Sequence, residues 1–259
     1  MILDTIIETK KEEVEQLKKQ TTVSALKRTI ARLEPCRNFR QAISFAGCNI
    51  IAEVKCASPS RGRLIADFDP VRIAGVYENN GAAAISVLTD EKYFAGHKNY
   101  LTQIRQKIKL PLLRKDFIID HLQIYETRAI GADAILLIVH VLGKKLAEFI
   151  LLSRKLGLSP LVEVHTQEEL DLALAADAEI IGINNRNLDT FVTDIETSRK
   201  LRTRIPEGFI VVAESGIMSR ADIDILMQAN IQNFLIGEAL ITAPDIGKKL
   251  RAFKGEETK

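Results

Sequence analysis

The stretch NIIAEVKCASPS, residues 49–60, begins as an apolar β-strand and ends in a polar turn. Glu53 and Lys55 stand two residues apart at its end, in step with Ile51. Residues i and i+2 of a strand share a face, so we expect both charged side chains to point with Ile51 toward the buried side. Charges at the edge of a core are costly unless they are paired. The pair therefore marks this strand end as a candidate functional site.

Seven further apolar runs follow this strand, and longer amphipathic segments separate them. They are AAISVLT (83–89), LLRKDF (112–117), AILLIV (134–139), LVEV (161–164), IIGINN (180–185), FIVVAESG (209–216) and FLIGEA (234–239). Strands that alternate with helices predict a parallel sheet with right-handed crossovers. Eight such units predict an α/β fold, the (β/α)8 or TIM barrel. A doubly wound open sheet is the alternative, but SPSRGRL (58–64) lacks the G-x-G-x-x-G pattern that usually follows its first strand.

Two helical patterns precede the first strand. Apolar residues recur at helical spacing over residues 2–17 and again over 23–33. Because no Gly/Ser-rich or Pro-rich linker interrupts the chain, we predict one domain over 1–259, with 1–48 as an N-terminal helical extension. The predicted helix N-caps are Asp69 before Pro70, Asp120, Thr166 with Glu169 as a capping box, and Ser219.

The composition argues against several classes of partner. The 259 residues include 36 basic and 34 acidic ones, a formal net charge of +2, which gives no reason to expect nucleic acid or an anionic membrane as partner. Three cysteines without a C-x-x-C pair and four scattered histidines predict neither disulfides nor a bound metal. The first residues carry acidic groups where a signal peptide needs an apolar core, so we expect a cytoplasmic protein.

Polar residues stand at the ends of most of the predicted strands. They are Glu53 and Lys55 in the first, Lys115 in the third, Glu163 in the fifth, Asn184 in the sixth, and Glu214 with Ser215 in the seventh. In a (β/α)8 barrel, the active site is assembled from these carboxyl ends. Any one charge could belong to a structural ion pair. Three carboxylates and two lysines directed at one mouth instead predict a functional site with perturbed titrating groups.

Two glycine-containing motifs point to phosphate. Gly216 in ESGI (214–217) and Gly237 in IGEA (236–239) stand where the chain leaves the seventh and eighth strands. Phosphate sites of such barrels commonly use these two loops, with backbone N–H groups and a helix N-terminus as donors. Each could be an ordinary turn glycine, but together they favour a phosphate site.

These motifs resemble the indole-3-glycerol phosphate synthase family. The resemblance covers essentially the whole chain and rests on EVKCASPS (53–60), AAAISVLTDEKYFAG (82–96), PLLRKDFIID (111–120), GADAILLIV (131–139), LVEVHTQEEL (161–170), GINNRNL (182–188), VAESGI (212–217) and IGEAL (236–240), in family order. It implies conversion of a 1-(2-carboxyphenylamino)-1-deoxyribulose 5-phosphate to indole-3-glycerol phosphate, carbon dioxide and water. It also implies that no cofactor takes part and that the enzyme serves tryptophan biosynthesis.

The resemblance also implies a role for each site residue. The catalytic set is Glu53, Lys55, Lys115, Glu163, Asn184 and Ser215, and the substrate-binding set is Ser58, Phe94, Phe117, Arg186, Glu214, Gly216, Gly237 and Glu238. Lys115 is expected to act as the acid at the ketone oxygen, and Glu163, supported by Glu53, to serve the loss of water. Lys55 and Ser58 are expected to hold the carboxylate of the substrate. The family usually has Ser at position 239, where this chain has Ala.

Some assignments have alternatives. Phe94 and Phe117 are expected to wall the anthranilate ring, although core packing would also explain them. His140 and Cys56 are interpreted as structural, and His165 stays open. The binding partner is expected to be a small phosphorylated molecule, and the chain a monomer or a weak homo-oligomer.

Two other functions deserve a test. Phosphoribosylanthranilate isomerase, a related barrel enzyme, would need neither the N-terminal helices nor the pair of Lys55 and Lys115. A non-catalytic sensor of phosphorylated ligands should have lost at least one of Lys115, Glu163 and Glu53. All three residues are present.

Overall fold

Eight parallel strands close into a barrel in this computed structural model, which describes residues 2–59, 61–187 and 192–256. The strands are β1 (Asn49–Val54), β2 (Ala84–Leu88), β3 (Leu112–Lys115), β4 (Ala134–Ile138), β5 (Ser159–Val164), β6 (Ile180–Asn184), β7 (Ile210–Glu214) and β8 (Asn233–Ile236). Each strand pairs with the next one along the chain, and β8 pairs with β1. The predicted (β/α)8 barrel is confirmed, and the open-sheet alternative is wrong.

Helices precede the barrel and connect its strands. They are α1 (Ile2–Gln20), α2 (Val23–Ile30), α3 (Phe39–Ala42), α4 (Pro70–Asn79), α5 (Lys98–Lys107), α6 (His121–Ala129), α7 (Val139–Leu142), α8 (Leu146–Lys155), α9 (Gln167–Ala175), α10 (Glu196–Arg202), α11 (Arg220–Gln228), α12 (Glu238–Ile241) and α13 (Ile246–Lys254). A short antiparallel pair, Ala57–Ser58 with Gly62–Arg63, forms the turn after β1. Ser60 in that turn and Leu188 in the GINNRNL motif lie outside the described residues.

The predicted N-caps begin their helices, with one correction. Asp69, Asp120 and Ser219 accept hydrogen bonds from the first turns of α4, α6 and α11. Thr166 likewise caps α9 by accepting from Glu169 N–H. Its predicted capping box is wrong, because the Glu169 carboxylate accepts from His165 N–H at 2.6 Å instead of from the cap residue.

Two apolar cores lie on the two faces of the barrel wall. The larger core packs the outward side chains of the strands against the helices. The smaller core fills the barrel interior and includes Ile51, Leu113, Leu161 and Val212. Phe39 and its neighbour Ile43 belong to this interior core, where both are fully buried. The short helix α3, which the sequence patterns did not predict, therefore helps to fill the inside of the barrel.

The N-terminal extension packs on the barrel through one stripe of α1. Leu3, Ile6, Val14 and Leu17 of this stripe are buried, as the helical spacing predicted. Lys10 lies in the same stripe and is equally buried, which the pattern did not predict. Among the residues that the structure describes, no helix is long and apolar enough to cross a membrane.

Candidate active site

The strand ends bring the predicted polar residues to one cavity. Two positions after an interior apolar residue, the same strand face carries a site residue: Glu53 after Ile51, Lys115 after Leu113, Glu163 after Leu161, and Glu214 after Val212. These four groups, with Lys55 and Asn184, line a cavity of about 480 Å³. Because side chains two positions apart share a strand face, a layer of charged side chains lies directly above the apolar interior layer, at the carboxyl end of the barrel.

Lys115 is the centre of this charged layer. Its Nζ donates to Oε2 of Glu163 at 3.2 Å and forms an ion pair with Oε2 of Glu214 at 3.4 Å. Burial alone would lower the pKa of Lys115, but Glu163, Glu214 and Glu53 together raise the pKa above its usual value. The ammonium is therefore held in its charged form between carboxylates.

Glu214 is the carboxylate that this crowding affects most. Burial raises its pKa to about 8; Lys115 opposes the shift, and the negative charges of Glu163 and Glu53 add to it. Three carboxylates cannot all ionise cheaply around one ammonium in a closed site. Glu214 therefore gives up its proton less readily than an exposed glutamate does.

The free energy of unfolding of Glu214→Gln should increase relative to that of the wild type as the pH rises from about 4.5 to about 8. The folded wild type binds this proton more tightly than the unfolded chain does. Its contribution to the free energy of unfolding is fully present below the pKa that Glu214 has in the unfolded chain. It is lost as the pH rises through the pKa that Glu214 has in the folded protein. Gln does not titrate and escapes that loss. Urea unfolding of both proteins across this range tests the prediction, with the exposed Glu207→Gln as control. A stability difference that does not vary with pH would contradict it.

Two glycines on the barrel wall make room for the carboxylates. A Cβ on Gly182 of β6 would lie 2.2 Å from Oε1 of Glu214. A Cβ on Gly237, the residue after β8, would lie 2.3 Å from Oε1 of Glu53. A side chain at either position would force the neighbouring carboxylate to move. The absence of a side chain at Gly237 therefore leaves space for the Glu53 carboxylate. The sequence had predicted only a role for Gly237 in the phosphate loop.

Lys55 and Asn184 complete the polar side of the cavity. Lys55 Nζ lies 3.3 Å from Oε1 of Glu53 and 5.6 Å from the ring centre of Phe94. Asn184 Nδ2 donates to Oε1 of Glu163 at 3.1 Å, and its Oδ1 accepts from Arg186 N–H at 3.0 Å. These contacts orient Glu163 from one side while Lys115 orients it from the other.

Apolar side chains also line the cavity. Phe94 and Phe117 lie with ring centres 6.2 Å apart, and both line the cavity. Ile2, Leu3 and Ile6 of α1 line it as well. The N-terminal helix is therefore part of the cavity wall.

The loops after β7 and β8 have the backbone expected of a close-fitting site. Ser215 adopts a φ of +64°, which is uncommon outside glycine, and Gly216 follows at +75°. A Cβ on Gly216 would lie 2.4 Å from Cγ2 of Thr193. Ser215 and Gly216 line the cavity together with Gly237. Such positive φ values at a cavity often mark functional backbone.

Glu238 bridges two arginines at the rim. Its carboxylate lies 3.1 Å from Nη1 of Arg61 and 3.8 Å from Nη2 of Arg186. Both arginines line the cavity beside the loops after β7 and β8. They supply positive charge at the position where the sequence predicts a phosphate, and the bridge holds that charge in place in the free protein.

Several singled-out residues lie away from the cavity lining. Ser58 is buried, and its Oγ has no hydrogen-bond partner in the described part of the chain. Cys56 is buried as well. His140 Nδ1 contacts Glu169 at 3.0 Å on the surface. His165 Nδ1 donates to the carbonyl oxygen of Asn184 at 2.7 Å, and so supports the end of β6.

The sequence patterns missed three contributors to the site. Arg61 lies in SPSRGRL (58–64), a segment whose pattern argues only against a doubly wound open sheet. Gly182, an isolated glycine inside a strand, is a signal of close approach that could have been recognised. Ile2 and its neighbours in α1 gave only a helical stripe, which does not say what the stripe covers. Within residues 2–59, 61–187 and 192–256, no group of His, Cys, Asp or Glu side chains is arranged to hold a metal ion.

The fold and the cavity define a (β/α)8-barrel protein with acid–base groups gathered at the carboxyl ends of its strands. The sequence profile of indole-3-glycerol phosphate synthase matches residues 3–253. The chain belongs to the indole-3-glycerol phosphate synthase family. This finding confirms the resemblance predicted from the strand-end motifs.

Similar proteins support this assignment at two levels. The chain is 48% identical to an indole-3-glycerol phosphate synthase of Desulforamulus reducens, over 97% of this chain and 96% of that one. It is 51% identical to an enzyme of the same name from Chlorobium chlorochromatii, over 92% and 94% of the two chains. A solved structure of KGPDC from Streptococcus mutans superposes with a TM-score of 0.63 at 15% identity, over 81% of this chain and 96% of that one. This last likeness concerns the fold alone.

Proposed function

We propose that the protein converts 1-(2-carboxyphenylamino)-1-deoxyribulose 5-phosphate to indole-3-glycerol phosphate, carbon dioxide and water in tryptophan biosynthesis. The observation that carries the proposal is Lys115 held between Glu163 and Glu214 in a cavity lined by both charged and apolar side chains. The substrate has matching parts: an apolar aromatic ring, two anionic groups and a ketone that must receive a proton.

Lys115 supplies the proton for ring closure. The aromatic carbon that bears the carboxylate attacks the ketone carbon, and negative charge develops on the ketone oxygen. An ammonium beside that oxygen stabilises the charge and donates a proton. Release of carbon dioxide then restores the aromatic ring. The carboxylates around Lys115 keep it protonated before the substrate binds.

Glu163 and Glu53 serve the loss of water. The new hydroxyl must leave as water while a proton is removed from the intermediate, so this step needs an acid and a base. Glu163 is held by Lys115 and by Asn184, which fix both of its oxygens toward the cavity. Glu53, paired with Lys55, supports it from β1. Each such group typically contributes about 10²–10⁴-fold to the rate.

The remaining residues bind and orient the substrate. Phe94 and Phe117 hold the aromatic ring, and side chains of α1 add to the apolar lining. Lys55 takes the carboxylate. Ser58 is buried and does not line the cavity, so its part in holding the carboxylate stays a prediction. The backbone of Ser215, Gly216 and Gly237 surrounds the phosphate. Arg186 and Arg61, which pair with Glu238 in the free protein, turn to the phosphate and neutralise its charge.

A fluorescence assay tests the proposal directly. The purified protein is supplied with the carboxyphenylamino substrate, and formation of indole-3-glycerol phosphate is followed together with carbon dioxide release. Equal amounts of the two products are expected. The same protein supplied with phosphoribosylanthranilate should show no turnover. Isomerisation of phosphoribosylanthranilate would favour the rival barrel enzyme, and binding of the first substrate without turnover would favour a sensor. Either result overturns the proposal.

A further inference from the structure

A buried lysine of the N-terminal helix reaches the two strand ends that carry the active site. The Nζ of Lys10 on α1 lies 2.8 Å from Oδ2 of Asp90 and 3.0 Å from Oδ1 of Asp116. The side chain of Lys10 is 2% exposed, and those of Asp90 and Asp116 are 0% and 3% exposed. The half-exposed Glu13 contacts the same ammonium at 2.7 Å.

Asp90 and Asp116 are each tied to a loop of the site. Asp116 follows Lys115 directly, and its Oδ1 accepts from Phe117 N–H at 2.8 Å. Asp90 follows β2 by two residues, and its Oδ1 accepts from Tyr93 N–H at 2.8 Å, one residue before Phe94. Each carboxylate that Lys10 bridges therefore holds a backbone N–H group at or next to one of the two Phe residues of the cavity.

A second set of contacts joins the two strand ends on the barrel side. Thr89 Oγ1 donates to Oδ2 of Asp116 at 2.5 Å, and Thr89 N–H donates to the carbonyl oxygen of Lys115 at 3.1 Å. Arg114 Nη2 contacts Oδ2 of Asp116 at 3.2 Å. Asp116 thus keeps a cationic partner without Lys10. Tyr93 also contacts Thr5 and Thr9 of α1, but the ionic link of Asp116 with Asp90 and α1 depends on Lys10.

We propose that Lys10 is a positioning residue of the active site, whose ammonium bridges Asp90 and Asp116 and so fixes Phe94, Lys115 and Phe117 relative to α1. The inference rests on the proposed function. Burial would lower the pKa of Lys10, but Asp116 and Asp90 raise it above its usual value, so the bridge stays charged. Ile6, one turn earlier on the same helix face, lines the cavity. One helix face therefore both forms the cavity wall and holds its strand ends.

A steady-state comparison of Lys10→Met with Lys11→Met tests the proposal. Lys11 is the next residue of the same helix, but it is exposed and pairs with Glu8. We expect Lys10→Met to lower kcat/KM by about 10²-fold, because displacements of about 1 Å at a catalytic group can cost that much. Both constants should change: kcat through Lys115, and KM through the two Phe rings. Lys11→Met should match the wild type.

The double variant Lys10→Met/Asp90→Asn separates positioning from stability. Lys10→Met leaves an excess buried negative charge and loses stability for that reason. The additional Asp90→Asn removes the excess charge, so the urea midpoint should return toward that of the wild type. The value of kcat/KM should stay low, because no ammonium links Asp116 to position 90 and to α1. This variant carries the test if Lys10→Met fails to fold.

Three results would overturn the inference. One is a wild-type kcat/KM in the double variant, which would show that Lys10 neutralises the buried carboxylates but does not position the active site. Another is Lys10→Met with the kinetics of Lys11→Met while the wild type is active; the proposed function would then stand without the inference. An inactive wild type would overturn both.

Discussion

Lys115→Met should lower kcat by at least about 10²-fold and change substrate affinity far less. Met keeps the length of the side chain and removes the ammonium that lies 3.2 Å from Glu163 and 3.4 Å from Glu214. The group matters most when charge develops on the ketone oxygen, so its loss should appear in the chemical step. Single-turnover rates and substrate dissociation constants separate that step from binding.

Two further variants make this result specific. Lys144→Met changes an exposed lysine in the segment after β4 and should leave kcat unchanged. Lys115→Arg keeps a positive charge but places a group that does not give up its proton at working pH. It should remain impaired if Lys115 donates a proton. Full activity of Lys115→Arg would reduce the role of Lys115 to charge stabilisation, and full activity of Lys115→Met would refute the assignment.

The barrel and the polar layer of its mouth were predictable because both depend on short-range periodicity. The alternation Ile51, Glu53, Lys55 survives in the structure, since a strand has no other way to direct every second side chain. The cap residues follow from local backbone geometry for the same reason. Glu169 is the exception: it was available for a capping box, but the neighbouring His165 N–H and His140 compete for its carboxylate.

What the sequence did not predict depends on contacts between distant segments. Lys10 interrupts an apolar stripe at a position where the pattern predicts another apolar residue, and its partners Asp90 and Asp116 are far away in sequence. Arg61 and Glu238 likewise meet only because β1 and β8 are neighbours in the closed barrel. No local pattern encodes such pairs. A charged residue in an otherwise buried helix face is nevertheless a usable signal that a buried partner exists.

Gly237→Val should nearly abolish activity, and the structure changes the reason for expecting this. The sequence argument was that a branched side chain would occupy the space of the phosphate. In the structure, the first added carbon already lies 2.3 Å from Oε1 and 3.0 Å from Cδ of Glu53. The Glu53 carboxylate, which pairs with Lys55, would have to shift, so the proposed catalytic carboxylate and the proposed phosphate loop would be disturbed together. A fall in kcat/KM of at least about 10²-fold is expected.

Matched substitutions show whether the contact with Glu53 is the cause. Gly75→Val places the same side chain on α4, where an added Cβ meets nothing within 4 Å, and it should leave kcat/KM unchanged. Ala239→Ser adds a hydroxyl two residues from Gly237 and should change KM by less than about tenfold, since one hydrogen bond is worth about 0.5–1.5 kcal/mol.

A double-mutant cycle then isolates the pair. Glu53→Ala removes the carboxylate, and of the three nearest contacts only the one at 3.1 Å to the Glu53 Cβ remains. If Gly237 is needed to make room for Glu53, then Gly237→Val should cost much less in the Glu53→Ala background than in the wild type. Equal losses in both backgrounds would mean that Gly237→Val acts through phosphate binding alone. Normal substrate binding by Gly237→Val would contradict a phosphate site at this face of the barrel.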